Sequence, residues 1–467
     1  MVFSKLFFIY FFLPLCLVTY GLVRKTKNKN TVLIIFSLVF YAWGEPTYVF
    51  LMLLSAGVNY FAGLSIEKYR GDKKEKIAFA GAIIFDLLML GIFKYSGFIV
   101  ENINALFGIS IPVPDIRLPI GISFYTFQTL SYVVDVQWET VKAQKSFKNF
   151  LLYVCLFPQL VAGPIVRYST IESEIEERKT SIEDISYGLN RMVLGLSKKV
   201  LIANQLSTIA DNMLGNIETS SFVGAWYGAL AYGLQIYFDF SGYSDIAIGL
   251  GRIFGFHFDE NFRHPFICKD ITEFWQRWHI SLSTFFRDYV LYLPIFGKRR
   301  KYGGLFLVWL CTGIWHGASW NFIIWGLYYG IFIFIEMKIG KKNMKKIPIV
   351  IRHIYNKIVI FIGFGIFYFE DFGQLGQFFK TIFGMGGNGF ITLADKISFS
   401  NNIFLIAAAV IFCFPVIEIF KKSKLYASEK SKNITTVLTT VISAILLLVS
   451  SIMLVDATTN PFLYFRF

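Results

Sequence analysis

His316, the imidazole at the centre of TGIWHGASWNF (residues 312–322), is the first group in the chain with an evident capacity for chemistry, because the run around it is apolar and aromatic. An ionisable side chain at membrane depth costs a few kcal/mol on insertion scales, so it is a functional candidate by default. Gly313 and Gly317 form a G-x-x-x-G pair beside it that admits the close approach of a second helix. Burial disfavours the imidazolium and leaves the ring available as a base. The alternative is a neutral histidine hydrogen-bonded across helices.

His279 lies in a second informative run, DITEFWQRWHISLSTFFRDYV (270–290). Asp270 and Glu273 have the spacing of a helix cap, and Ile271, Phe274, Trp275, Trp278, Leu282, Phe285 and Tyr289 recur at helical period. One helix over 270–290 is expected, too polar to span and lying in the interface or walling a wet cavity. His279 sits at the edge of its apolar stripe, where a site role and a structural boundary role are equally open.

Two carboxylates, Asp239 and Asp245, fall in YFDFSGYSDIAIGLG (237–251), inside or beside an apolar run, and need partners there. Arg277 and Arg287 are the expected partners, in ion pairs that anchor the polar helix; packing is favoured over direct catalysis. LPIGISFYTFQTLSYVVDV (118–136) and LFPQLVAGPIVRY (156–168) combine Gln128 and Gln159 with proline, glycine and aromatic residues. Proline and glycine free backbone groups that protein or cavity water must satisfy, so these runs are expected to line a pore, with kinked packing helices as the alternative. The five cysteines are scattered and show neither a disulfide pattern nor the spacing of a metal site.

The elements that must position these groups follow from composition. Of 467 residues 55% are hydrophobic and only 16% charged, against about one quarter in soluble proteins, which makes the chain an all-α integral-membrane protein. Apolar spans are expected at 3–23, 47–66, 77–94, 222–238, 319–337, 350–369, 402–420 and 433–455. The runs 31–43, 118–134, 150–166 and 186–210 are short or interrupted, and are expected to include re-entrant or protein-buried pieces. The first run lacks a small-residue cleavage site and reads as a retained helix.

The net charge of +14 resides in short loops, 24–29, 68–76, 298–301, 338–346 and 421–432. That is the positive-inside pattern, and it argues against a nucleic-acid partner. Placing those loops inside leaves residues 370–401 and both termini extracytoplasmic.

In their order along the chain, these runs together with NFRHPF (261–266) and the tail NPFLYFRF resemble the membrane-bound O-acyltransferase family, in its bacterial branch that O-acetylates surface polymers such as alginate and peptidoglycan. The resemblance is nearly continuous over 118–330, flanked by peripheral helices in 1–117 and 331–467, and implies a single membrane domain. It also implies a ring of transmembrane and re-entrant helices around a central funnel, with His316 as principal catalytic residue and His279 as the second polar position. The stretch VLYLPIFGKRRKYGG (290–304) departs from alginate-type members in being more hydrophobic and more basic, which bears on polymer identity and not on reaction class.

The expected reaction is acetyl transfer from cytosolic acetyl-CoA, a substrate and not a bound cofactor, to a hydroxyl of an extracytoplasmic polysaccharide at the bacterial cell membrane. His316 takes the proton, His279 orients the donor or supports the oxyanion, and Trp315, Trp320 or Asn321 supply donors to it. Tyr464 is a candidate acyl carrier toward a separate esterase-like transferase, or an interfacial aromatic anchor. Three other readings stay open: D-alanyl transfer to teichoic acid, a polysaccharide transporter, and a scaffold that docks a surface transferase.

Overall fold

The computed structural model describes residues 1–160, 163–291, 300–422 and 429–455. Among them every regular element is helical. Among the described residues six helices are long and apolar enough to cross a bilayer: Val49–Lys68, Lys73–Phe107, Trp320–Ile339, Ile349–Tyr368, Leu393–Phe412 and Ile434–Val455. The protein is a polytopic membrane protein. A shorter apolar helix, Phe8–Leu22, stands where the first span is expected.

The span expected at 402–420 begins instead at Leu393, because Thr392 and Asp395 form a capping box there. The Asp395 carboxylate accepts from Thr392 N at 2.7 Å and the Thr392 hydroxyl from Asp395 N at 3.2 Å. Satisfied backbone donors thus start the helix before its apolar half, carrying Lys396, Asn401 and Asn402 into it.

The chain divides into two compact units, residues 1–192 with 243–259, and residues 193–242 with 260–467. In the first unit α1 (Val49–Lys68), α2 (Lys73–Leu90) and α3 (Ile122–Gln137) pack together, and α3 is buried along almost its whole length. That is the protein-enclosed helix the polar, glycine-started 118–134 run predicts. Asp86 of α2, wholly buried, accepts from Asn59 Nδ2 of α1 at 2.9 Å and from Thr129 Oγ1 of α3 at 3.0 Å, so one carboxylate fixes the register of three helices. Phe3, Phe8, Phe40 and Phe157 form an aromatic core beside them.

Two further helices, α4 (Ile182–Ser197) and α5 (Phe222–Phe254), contribute residues to each unit. They meet at glycines one heptad apart. In the first unit a methyl on Gly188 would lie 2.5 Å from the Gly249 carbonyl oxygen, and in the second one on Gly242 would lie 2.7 Å from that of Gly195. After α4 the backbone widens into a π-helical segment, Lys198–Ala203.

The second unit holds α6 (Ile271–Arg277), α7 (Ile280–Tyr289), α8 (Lys301–His316), α9 (Trp320–Ile339) and α10 (Ile349–Tyr368). The G-x-x-x-G reading holds for one of its two glycines: Gly313 faces Gly326 of α9 backbone to backbone, whereas Gly317 lies past the end of α8 in extended backbone and meets the Phe322 ring. A methyl on Gly326 would stand 2.3 Å from the Trp309 carbonyl oxygen, and one on Gly313 would stand 2.4 Å from that of Phe322. Backbone cannot yield cheaply at such contacts. Gly326→Ala is therefore expected to destabilise the detergent-solubilised protein by about 1–3 kcal/mol, read as a lowered melting temperature, whereas Gly81→Ala, at an open position inside a helix, does not lower it.

Candidate active site

The glycine contact between α8 and α9 delivers His316, the last residue of α8, into an aromatic box. Its ring stands edge-on to Trp325 at 4.8 Å, to Trp315 at 4.9 Å and to Phe367 at 5.1 Å, and the residue is 6% exposed. Phe367 is held in place by Asn321, whose Nδ2 donates to the carbonyls of Ile366 at 3.4 Å and Phe367 at 3.2 Å. Asn321 thus supports a wall of the box. Its N–H groups are committed, which removes it as an oxyanion donor. Trp320 is 47% exposed, so of the three expected donors only Trp315 combines burial with a ring contact to His316.

The run 270–290 is not one helix. It breaks at Trp278 and His279, and His279 adopts a left-handed backbone, φ +45° and ψ +54°, unusual for a residue with a Cβ. The strain is held by a segment the expectation for this helix did not include. Asn261 Oδ1 accepts from Ser281 N at 3.1 Å and Ser281 Oγ at 2.9 Å, while the Asn261 carbonyl accepts from Ile280 N at 2.9 Å. Two residues on, Arg263 N donates to the Arg277 carbonyl. Strain so over-determined is typical of functional positions. The turn buries the His279 ring 5.8 Å from Trp315 and 6.2 Å from Phe262, and this burial pushes it well below the ordinary imidazole range. The two buried imidazoles therefore flank one indole.

The start of α6 is fixed as firmly as its end. Asp270 caps it through Glu273 N at 2.7 Å, as the sequence predicts. Glu336 of α9, which sequence reasoning missed, accepts from Ile271 N at 2.7 Å, Thr272 N at 2.9 Å and Thr272 Oγ1 at 2.6 Å. A carboxylate bonded to the first N–H groups also complements the positive end of the helix. Held this way, α6 lays Trp275 against Trp309, Trp325 and Tyr329.

The expected ion pairs are redistributed. Asp239 pairs with Lys199 at 2.6 Å, both side chains almost wholly buried, and Asp245 pairs with Arg191 at 2.8 Å. Arg277 instead bonds Glu273 one turn back, and Arg287 bonds the adjacent Asp288. The physical reason is the α4–α5 contact: glycines at 188, 195, 242 and 249 bring the backbones together, so charges three to four residues from them face each other. That heptad is legible in the sequence. Gln128 and Gln159 lie in the first unit and are fully buried, where Gln159 Nε2 donates to the Tyr153 carbonyl. Tyr464, Lys298 and Arg299 lie outside the described residues.

An all-helical membrane protein with two buried imidazoles flanking one indole has an architecture suited to acyl transfer. The profile of the membrane-bound O-acyltransferase family matches residues 35–370, and the chain belongs to that family. It is an O-acyltransferase. It is 38% identical over 437 residues to "Probable alginate O-acetylase AlgI" of Azotobacter vinelandii, covering 91% of this chain and 86% of that protein. It is 30% identical over 521 residues to the peptidoglycan O-acetyltransferase of Helicobacter pylori, covering 100% and 98%. The teichoic acid D-alanyltransferase of Bacillus subtilis is 30% identical over 295 residues, 59% of this chain and 72% of its own length.

Proposed function

We propose that this protein moves an acetyl group from acetyl-CoA on the cytosolic side of the bacterial cell membrane toward a hydroxyl of an extracytoplasmic polysaccharide, with His316 as general base. The observation that carries the reading is the buried His316 ring, closed in by aromatic side chains and linked through Trp315 to His279. In the reaction His316 takes the hydroxyl proton, the oxygen adds to the thioester carbonyl, the C–S bond breaks, and the imidazolium returns the proton to the thiolate. The products are an acetyl ester and free coenzyme A. Water exclusion by the box strengthens every polar interaction made during this sequence.

The likeness to alginate and peptidoglycan O-acetylases over nearly the whole chain, against partial coverage by the D-alanyltransferase, supports acetyl over D-alanyl and a polysaccharide over a teichoic acid. Both termini lie outside, and the basic stretch ending at Arg300 and Lys301 draws the coenzyme A phosphates from the inner side. Tyr464 supplies the hydroxyl that attacks the thioester, and a separate esterase-like transferase then moves the acetyl group from the tyrosyl ester to a polysaccharide hydroxyl, whose proton returns to the phenol.

Inverted membrane vesicles loaded with polysaccharide and given labelled acetyl-CoA outside are expected to acetylate the enclosed polymer, and the same vesicles given a D-alanyl-charged carrier protein are not expected to D-alanylate it; the reverse result overturns the donor. Tyr464→Phe keeps the aromatic ring and removes the nucleophile. It is expected to abolish label on the protein and on the polymer, and unchanged polymer acetylation in this variant rules out the shuttle.

A further inference from the structure

Two buried donors in the His316 compartment have no acceptor among the described residues: the indole N–H groups of Trp325 and Trp275. Trp325 is 3% exposed and Trp275 7%. Their rings meet edge to face at 5.4 Å, and Trp325 also meets His316 at 4.8 Å, so both donors and the candidate base share one aromatic enclosure. Nearby donors are already engaged within the protein. The Tyr329 hydroxyl donates to the Ile360 carbonyl at 3.3 Å and Asn321 Nδ2 holds the end of α10, while Asn321 Oδ1, a buried acceptor, takes neither indole N–H. A buried tryptophan ordinarily finds a partner for its N–H, and contact with a ring face is only a second-order substitute. Two such donors side by side, next to a base, are an unmet demand for an acceptor.

The surroundings select which acceptor. The rings that touch His316 and the two indoles include those of Phe274, Trp309, Trp315, Tyr329 and Phe367. A phosphate or carboxylate taken from water into such a wall would lack a compensating cation. A carbonyl oxygen is neutral on arrival and gains charge only while a nucleophile adds, which is when fixed neutral donors in a dry site help most. We infer that Trp325 and Trp275 donate to the carbonyl oxygen of the acyl group being transferred, an assignment that rests on reading His316 as the base. As the hydroxyl oxygen bonds to the carbonyl carbon and its proton passes to His316, the carbonyl π pair moves onto the oxygen held by the two N–H groups. As that pair returns, the C–S bond breaks and the thiolate takes the proton back from His316.

Phenylalanine at either position keeps a ring and deletes the donor. Trp325→Phe is expected to lower kcat for acetyl-CoA by about 100-fold with KM nearly unchanged, and Trp275→Phe to act in the same direction. A second reading uses the intact protein: infrared difference spectra with carbonyl-13C acetyl-CoA are expected to show the bound carbonyl band shifted to lower frequency than in water. If His316→Gln stops transfer while both phenylalanine variants retain wild-type kcat, the indole assignment is wrong and the base reading stands. An unshifted band in wild-type protein overturns the assignment even where a variant fails to fold. Transfer that survives His316→Gln overturns the base reading and this inference with it.

Discussion

His316→Gln is expected to lower acyl transfer by about 10²- to 10⁴-fold while leaving a folded protein. Glutamine approximates the size of imidazole and keeps hydrogen-bonding capacity, so the contacts with Trp315, Trp325 and Phe367 change little, but an amide cannot accept the hydroxyl proton. Transfer is read as labelled acetyl on polysaccharide in reconstituted vesicles, and folding as the thermal melt in detergent. Mass spectrometry of surface glycans from cells carrying the same variant reports acyl group and acceptor together. A folded His316→Gln protein that transfers at the wild-type rate would falsify the base assignment. A transporter would show that behaviour, because transport has no need of a proton acceptor at this position.

The second large effect is on stability. Asp239→Ala leaves the Lys199 ammonium buried in the contact between α5 and the π-helical segment, with its carboxylate partner gone. Breaking one side of a buried pair typically costs about 3–5 kcal/mol, whereas replacing both sides with apolar residues of similar volume is often neutral. Asp239→Ala is therefore expected to lower the melting temperature sharply, and the double variant Asp239→Leu with Lys199→Leu to recover most of the loss. A double variant as unstable as the single one would show that the two charges do not act as a pair. Recovery of stability without recovery of transfer would assign the pair a part in the reaction as well.

How much of this could be read in advance depends on the range of the physics involved. The helical class and the membrane environment follow from hydropathy and helical period, which are local, and they were legible throughout. So was the Gly313 contact, because a G-x-x-x-G face has one principal use in an apolar helix. The start of the Leu393–Phe412 helix was not, since its capping box lies in a polar stretch where hydropathy carries no signal. Within the candidate site, His316, His279 and Trp315 were picked out by residue type. Asn261, Glu336, Phe367 and Trp325 were not, because their roles are to hold or enclose something distant in the chain.

The carboxylates make the division sharpest. That Asp239 and Asp245 needed cations was determined by the sequence alone, since an apolar run cannot carry an unpaired charge cheaply. Which cations they took was decided by tertiary structure: Arg277 and Arg287 had nearer carboxylates on their own elements, and glycine contacts brought Lys199 and Arg191 within reach instead. The left-handed turn at His279 follows the same rule. Its residues favour a continuous helix, and the hydrogen bonds that Asn261 accepts and Arg263 donates, from nearly twenty residues earlier, offset the strain that points its ring at Trp315.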